Sequence, residues 1–331
     1  MHSVLRVEDL SVSFELEAGL VNVVDRINFS VEAGETVGLV GESGCGKSVT
    51  ALSVMGLLPR PAGRVVGGKV LLGDIDLLTL PADKRQAIRG DRISMIFQEP
   101  MTALNPVQRI GRQLGESFRL HQPELDSNAI TKQCVSLMDR VGIPAPDERL
   151  SAYPHELSGG MRQRIMIAMA LATRPDVLIA DEPTTALDVT IQAQILELLR
   201  ELQSDYGMSV IFITHDLGVI AELCTNVVVM YAGRIAERAS VGDLFREPHH
   251  PYTRGLLDSI PRMDTIPKSL LTTIEGAVPS IGELPTGCRF NNRCNFSDSL
   301  CQQSEPEMRN IGADHESACH HIERFKAELI G

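Results

Sequence analysis

Residues 41–48 read Gly-Glu-Ser-Gly-Cys-Gly-Lys-Ser, which matches the pattern G-x-x-x-x-G-K-[ST]. An apolar run at 36–40, typical of a buried strand, comes before it, and a helical stretch at 48–57 follows it. This order gathers backbone N–H groups and the positive end of a helix dipole into one concavity, which binds phosphate. The stretch therefore predicts an α/β fold that binds a nucleotide.

Two side chains of this loop carry the chemistry. We expect Lys47 to reach the β- and γ-phosphates of a bound nucleotide and the Ser48 hydroxyl to ligate the Mg²⁺ that bridges them. The alternative is a glycine-rich turn with an exposed lysine, and the flanking strand and helix argue against it. The predicted nucleotide-binding residues are Gly41, Glu42, Ser43, Gly44, Cys45, Gly46, Lys47, Ser48 and Val49.

Length and charge exclude several classes of protein. The chain has 331 residues, enough for one large domain or for two unequal units, and its formal net charge is −12. Such an acidic chain is not expected to bind nucleic acid. It has neither an apolar run of the roughly 20 residues that span a bilayer nor a signal-peptide pattern at its N-terminus. We expect a soluble chain that remains in the cytoplasm.

Two strand patterns occur, together with one helical region. Residues 5–14 and 27–31 alternate apolar with polar, as half-buried antiparallel strands do, whereas 177–180 and 210–213 are unbroken apolar runs typical of a mostly parallel sheet. Between them, residues 106–141 have helical periodicity. The patterns predict an α/β fold.

A change of composition near residue 240 indicates a domain boundary. The strand pattern ends there, and prolines punctuate the remainder, in which short helices are predicted at 241–245 and 252–257. We therefore expect one domain over 1–240 and a second over 241–331, called the C-terminal segment below.

Polar residues that follow strands are the candidates for hydrolysis. Asp181 and Glu182 end the strand at 177–180; the first is placed to hold the magnesium shell and the second to polarise an attacking water. His215 follows the strand at 210–213, where we expect it near the γ-phosphate, and Gln98 follows the strand at 92–97, where it can contact both magnesium and water. The alternatives are a helix cap for the acidic pair and an ordinary core or surface position for the histidine.

A second anion-binding helix start is predicted after Leu157. Ser158 is a natural N-cap, and Gly159 and Gly160 leave the first amides of the helix exposed before Met161. A chain with one nucleotide site and two such helix starts suggests that the second start serves the nucleotide of another subunit.

Taken in order, these motifs resemble the ATP-binding cassette (ABC) family over residues 4 to about 240. The resemblance implies a P-loop NTPase with a RecA-like core, an antiparallel β subdomain and a helical subdomain at about 98–164 that docks on a membrane partner. It implies that ATP is sandwiched between the phosphate loop of one subunit and residues 157–161 of another. Met161 departs from the family, which usually has glutamine there.

The resemblance also assigns roles to individual residues. Phe14 would stack on adenine, and Asp188, in the run Ala186-Leu187-Asp188, would lie at the dimer contact. Glu182, His215 and Gln98 would be catalytic, and the signature residues Ser158, Gly159, Gly160 and Met161 would act in trans. Magnesium would be held through Ser48, Gln98 and Asp181.

Four of the seven cysteines lie together in the C-terminal segment. Cys288, Cys294, Cys301 and Cys319 are separated by five, six and seventeen residues. Four thiolates suit either zinc or an iron–sulfur cluster, and the absence of a C-x2-C pair from the sequence favours the cluster. Zinc and unligated thiols remain alternatives. His315, His320 and His321 flank the last cysteine as substitute ligands or as surface residues.

Residues 250–254 (His-Pro-Tyr-Thr-Arg), 285–290 (Pro-Thr-Gly-Cys-Arg-Phe) and 292–294 (Asn-Arg-Cys) resemble the C-terminal extension of dipeptide and oligopeptide importer ATPases. This resemblance implies a [4Fe-4S] cluster on the four cysteines. It implies a second homologous ABC ATPase subunit, two transmembrane permease subunits and, indirectly, an extracytoplasmic peptide-binding protein as partners, at the cytoplasmic face of the inner membrane. The proline usual after the second cysteine is replaced by Asn295-Phe296.

Three functions would use these motifs. The favoured one is an ATPase that energises import of di- or oligopeptides, with a metal chelate or a cationic peptide as alternative cargo. A non-transport ABC ATPase would require a long coiled-coil insertion or two cassettes in one chain, and the sequence has neither. A module that binds nucleotide without hydrolysing it is disfavoured by Glu182 and His215.

Overall fold

The computed structural model describes residues 3–17, 19–98, 103–185, 187–260, 273–312 and 314–323. Contacts divide the chain into two units. The first unit comprises Met1–Val4, Glu32–Glu35 and Thr79–Ile211, and the second comprises Leu5–Val31, Thr36–Leu78 and Phe212–Gly331. Among the helices that the described ranges contain, none is long and apolar enough to cross a membrane.

The strands of the described residues are, in chain order, β1 (Ser3–Leu16), β2 (Gly19–Glu32), β3 (Thr36–Val40), β4 (Gly63–Leu72), β5 (Ile75–Asp76), β6 (Ile93–Ile96), β7 (Val177–Asp181), β8 (Ser209–Thr214), β9 (Asn226–Tyr231), β10 (Arg234–Ser240), β11 (Arg309–Gly312) and β12 (His315–Ser317).

The α-helices are α1 (Lys47–Met55), α2 (Ala82–Ile88), α3 (Ile110–His121), α4 (Ser127–Arg140), α5 (Pro146–Arg149), α6 (Gly159–Leu171), α7 (Val189–Tyr206), α8 (Leu217–Leu223), α9 (Val241–Arg246), α10 (Pro251–Asp258) and α11 (Ser299–Gln303). Short 3₁₀ helices lie at Pro154–Glu156, Ile281–Glu283 and Asn291–Arg293.

An antiparallel sheet in the second unit has the strand order β2-β1-β4-β5. Strand β1 pairs with β4 in a register that places Val7 opposite Val70 and Phe14 opposite Gly63. Val7 and Val70 are buried, while Arg6 on the other face is exposed, so the alternating pattern correctly predicts a sheet with one covered face. The strand runs two residues past the predicted end at residue 14.

A second sheet of the same unit has the order β11-β12-β10-β9-β3. Strands β3 and β9 are parallel, and β9 and β10 form an antiparallel hairpin. The C-terminal segment adds β12 antiparallel to β10, with Arg238 opposite Glu316, and β11 beyond it. The sequence patterns did not predict β11 and β12, because strands of four and three residues are too short for a period-two pattern.

In the first unit β6 and β7 are parallel, and every residue of both strands is buried. This burial confirms the unbroken apolar run at 177–180 as a strand covered on both faces. The helical region at 106–141 is also confirmed as α3 and α4, and α3 buries Ile110, Leu114 and Phe118 at the predicted spacing. Strand β8 begins in this unit and ends in the second.

Candidate functional site

The phosphate loop connects β3 to α1, and its glycines adopt conformations that other residues avoid. Gly41 has φ +150° and Gly46, the N-cap of α1, has φ +104°. A Cβ atom at position 41 would overlap the carbonyl oxygen of Met230 in the neighbouring strand β9. Glycine is therefore required at 41 both by backbone conformation and by close packing.

Lys47 lies inside the curve of this loop. Its side chain is buried, and the Nζ ammonium donates to the carbonyl oxygens of Gly41 at 2.7 Å and Glu42 at 3.1 Å. Cys45 is buried beside it, and this burial raises the pKa of the thiol although the lysine charge acts in the opposite direction. The loop is thus closed around a positive charge, as a phosphate site requires.

Asp181 and Glu182 end β7 in the first unit. Asp181 is buried, and Glu182 has a left-handed backbone conformation with φ +46°. For a residue other than glycine this conformation costs on the order of 1–2 kcal/mol and concentrates at functional sites. The Glu182 carboxylate accepts hydrogen bonds from Gln98 Nε2 at 3.1 Å and from Thr185 Oγ1 at 2.8 Å. The structure therefore brings Gln98 and Glu182 together, and it adds Thr185, which the sequence reasoning missed.

The signature residues lie at the start of α6. The Ser158 side chain accepts a hydrogen bond from the Met161 N–H at 3.3 Å, which confirms Ser158 as the N-cap. Ser158 and Gly159 are exposed. One turn later, the buried Gln163 donates to the carbonyl oxygen of Pro183 at 2.5 Å. Since Pro183 follows Glu182, this bond fixes the signature helix to the loop of the candidate base.

The remaining predicted residues lie at strand and helix ends. Asp188 is exposed and caps α7 by accepting from the Ile191 N–H at 2.9 Å. His215 is exposed after β8, and Phe14 is half-buried in β1 with its ring against Gly63. Ala186, the first residue of the Ala-Leu-Asp run, lies outside the described residues.

Two residues of the C-terminal segment also contact the phosphate loop. The Glu42 N–H donates to Tyr252 Oη at 2.8 Å, and the Arg293 guanidinium binds the Glu42 carboxylate. No local pattern could have found these residues, because Arg293 is 251 positions from Glu42.

Cysteine thiols of the C-terminal segment lie within electrostatic reach of one another. Burial raises the pKa of Cys288 and of Cys319 to about 11. The charges of Cys301 and Cys319 further raise the pKa of Cys288, and those of Cys294 and Cys301 raise the pKa of Cys319. Electrostatic reach is longer than a metal–ligand bond, so a four-thiolate centre on these residues stays a prediction.

Among the described residues, a compact group of mixed donors includes one of these cysteines. Asp298, Cys301 and His321 each offer a ligand atom, and these atoms lie within 4.8 Å of one another. His321 Nε2 and a carboxylate oxygen of Asp298 are 3.0 Å apart. Carboxylate, thiolate and imidazole are ligands that zinc accepts, so this group is compatible with zinc.

The loop at 41–48 and the acidic pair at 181–182 define a P-loop nucleotide-binding protein. Two family models match the chain: "ABC transporter" over residues 24–185 and "Oligopeptide/dipeptide transporter, C-terminal region" over residues 236–301.

Similar proteins agree with these matches. The chain is 50% identical to the probable peptide ABC transporter ATP-binding protein y4tR of Sinorhizobium fredii, over 95% of this chain and 94% of that one. It is 52% identical to the dipeptide transport ATP-binding protein DppD of Bacillus subtilis, over 92% of this chain and 91% of that one. A dimeric post-hydrolysis structure of the ATP-binding cassette MJ0796, bound to ADP and phosphate, matches with a TM-score of 0.64 and 25% identity, over 72% of this chain and 98% of that one. The chain therefore belongs to the ABC transporter family of ATPases.

Proposed function

We propose that this chain is the ATP-hydrolysing subunit of an ABC importer that energises uptake of di- and oligopeptides across the cytoplasmic membrane. The match of residues 236–301 to the C-terminal region of oligopeptide and dipeptide transporters carries the proposal. In this function the chain is a peripheral subunit at the cytoplasmic face of the inner membrane. It pairs with a second homologous ATPase and drives two transmembrane permease subunits, to which an extracytoplasmic binding protein delivers peptide.

The domain assignment follows from this function. Residues 1–240 form the cassette, with a RecA-like core, an antiparallel β subdomain and a helical subdomain at about 98–164 that docks on the permease. The sheet β2-β1-β4-β5 supports the β subdomain, and α3 and α4 support the helical one. Residues 241–331 form a C-terminal extension that carries the cysteines.

Binding of ATP uses the loop between β3 and α1. Lys47 exchanges its bonds to the Gly41 and Glu42 carbonyl oxygens for bonds to the β- and γ-phosphate oxygens. Ser48 and Asp181 would supply the hard oxygen ligands that Mg²⁺ prefers, and Gln98 would add a neutral one. Bound magnesium supplies charge neutralisation for the phosphates. Phe14 stacks on the adenine ring.

Hydrolysis uses Glu182 as the group that orients and polarises the attacking water. Gln98 and Thr185 donate to its carboxylate and so hold it in one orientation. The left-handed backbone at Glu182 supports this role, since strain of this kind persists where function requires it. Lys47 stabilises the charge that develops on the γ-phosphate, and His215 secures it by a hydrogen bond.

The signature helix acts on the nucleotide of the other subunit. The exposed Gly159 and the half-buried Gly160 at the start of α6 present the helix N-terminus to an anion from outside the chain, and Met161 follows them. Closure of two subunits around ATP, with Asp188 at their contact, precedes hydrolysis. Reopening after hydrolysis moves the permease through the helical subdomain.

The cysteines Cys288, Cys294, Cys301 and Cys319 would hold a [4Fe-4S] cluster, with zinc as the alternative metal. The electrostatic influence of Cys301 on both Cys288 and Cys319 supports a shared centre. Anaerobically purified protein should be brown and contain about four iron and four labile sulfide per chain. Colourless protein with one zinc per chain would replace the cluster with the alternative.

The cargo is tested by assembly with the membrane subunits. The full chain, co-purified with its permease partners and reconstituted in vesicles with the binding protein, should hydrolyse ATP faster when a dipeptide is added and should accumulate labelled dipeptide. Stimulation by a metal chelate or a cationic peptide instead, with no response to dipeptides, would refute the peptide assignment while leaving the ATPase intact.

A further inference from the structure

Two residues of the C-terminal segment bind Glu42 in the phosphate loop. Tyr252 of α10 is fully buried and accepts the Glu42 N–H at 2.8 Å. Arg293 binds both oxygens of the Glu42 carboxylate, through Nη1 at 2.7 Å and Nη2 at 3.0 Å. A bidentate guanidinium–carboxylate pair fixes direction as well as distance.

Arg293 is itself held rigidly. Its side chain is only 2% exposed. Its guanidinium donates to the backbone carbonyl oxygens of Ile274, Glu275 and Gly276, at distances from 2.9 to 3.3 Å. The charge lies 5.8 Å from the ring centre of Tyr231. Burial acts to lower the pKa of Arg293, but its bonds to Glu42 and Tyr231 outweigh burial and raise that pKa, so the side chain stays charged.

Glu42 is consequently fixed at three points. Tyr252 holds its N–H, Arg293 holds its carboxylate, and Lys47 donates to its carbonyl oxygen at 3.1 Å. The first two partners come from the C-terminal segment, and the third is the lysine that the phosphates recruit. A phosphate loop binds tightly only when its amides and lysine are oriented before the ligand arrives.

We propose that Tyr252 and Arg293 are positioning residues of the phosphate loop, through which the C-terminal segment sets the affinity of this chain for nucleoside triphosphate. The proposal rests on the proposed function, because it requires the nucleotide to bind at 41–48. Neither residue touches the nucleotide; both act through Glu42.

The test measures equilibrium binding of a non-hydrolysable ATP analogue with Mg²⁺ to the full chain, beside the thermal midpoint of each variant. Arg293→Ala should weaken binding about tenfold, which corresponds to about 1.4 kcal/mol. Arg293→Lys keeps the charge but loses the bidentate hydrogen bonding of the guanidinium, so its Kd should lie between those of wild type and Arg293→Ala. Tyr252→Phe keeps the ring and should weaken binding about threefold.

Arg238→Ala is the matched control. It breaks another ion pair that attaches the C-terminal segment, Arg238 to Glu316, but it has no bond to the phosphate loop. This variant should lose thermal stability and keep its nucleotide Kd within about twofold of wild type. A Kd that instead follows the thermal midpoint across all variants would mean a purely structural role and overturn the proposal.

A double variant tests whether Arg293 acts through Glu42. Once Glu42→Ala is present, adding Arg293→Ala should cause little further loss of affinity, whereas fully additive losses would refute the route through Glu42. Lys47→Ala separates this inference from the function beneath it. The positioning role alone is overturned if nucleotide binding is lost in Lys47→Ala but unchanged in Arg293→Ala, Arg293→Lys and Tyr252→Phe. The nucleotide site itself is overturned if binding is unchanged in Lys47→Ala.

Discussion

Replacement of Glu182 by glutamine separates catalysis from geometry at the proposed hydrolytic site. The amide has the size of the carboxylate, and its remaining oxygen can accept the hydrogen bonds from Gln98 Nε2 and Thr185 Oγ1. The loss is therefore confined to the group that polarises water. A positioned general base contributes about 10²–10⁴ in rate, or about 3–5 kcal/mol. We expect ATP turnover to fall by this factor while ATP binding persists.

The assay compares steady-state ATPase rates of the assembled transporter with the amount of dimer that elutes with ATP on size exclusion. Glu182→Gln should accumulate the ATP-bound dimer. Thr185→Val is the control, because it keeps the carboxylate and removes one orienting donor. Loss of one such hydrogen bond costs about 1 kcal/mol, or about fivefold in rate. A Glu182→Gln rate within a few-fold of wild type would refute the assignment of the base.

Three further outcomes are expected. Glu237→Ala removes a fully buried carboxylate that accepts hydrogen bonds from two backbone N–H groups and from His315. The free energy of unfolding should fall by about 3 kcal/mol or more, and a thermal midpoint equal to wild type would contradict this. Burial lowers the pKa of His250 to about 4, against about 6.5 in the unfolded chain, so the unfolded chain binds more protons between these pH values. The free energy of unfolding should therefore fall by up to about 3 kcal/mol as the pH drops from 6.5 to 4. His250→Asn keeps a cap acceptor for α10 and should make the thermal midpoint less dependent on pH over this range. Ser158→Ala removes the N-cap of α6 and should cost about 1 kcal/mol of stability. It should also lower the ATPase rate of the assembled dimer without changing nucleotide binding to the isolated chain. Full ATPase activity in this variant would argue against the signature role.

Local patterns predicted most of the fold, because the interactions behind them are close in sequence. The unbroken apolar run at 177–180 correctly indicated β7, and the 3.6-residue spacing correctly indicated α3. Element ends were less well predicted: α10 begins at Pro251 and ends at Asp258, outside the expected 252–257, since caps and packing decide where a helix ends. Strand β12 is formed by pairing with β10, which no short-range pattern encodes.

Parts of the candidate site followed the same division. Gly41 and Gly46 could be predicted from the sequence because their backbone conformations exclude other residues. Ser158 could be predicted because an N-cap side chain bonds to a backbone N–H three positions along the chain. The role of Gln163 could not be predicted, because its hydrogen bond to Pro183 spans twenty positions and joins a helix to a loop.

The phosphate site predicted at 41–48 and the resemblance to ABC ATPases could both be found from the sequence alone, because a strand, a glycine turn and a helix start form that motif from neighbouring residues. Only the tertiary structure decided that the C-terminal segment contacts this loop. Glu42 carries no local signal for Arg293 or Tyr252, which lie 251 and 210 positions away. Burial of Tyr252 and desolvation of Arg293 become possible only when the segment packs, and the ion pair forms there because a buried guanidinium requires an anionic partner.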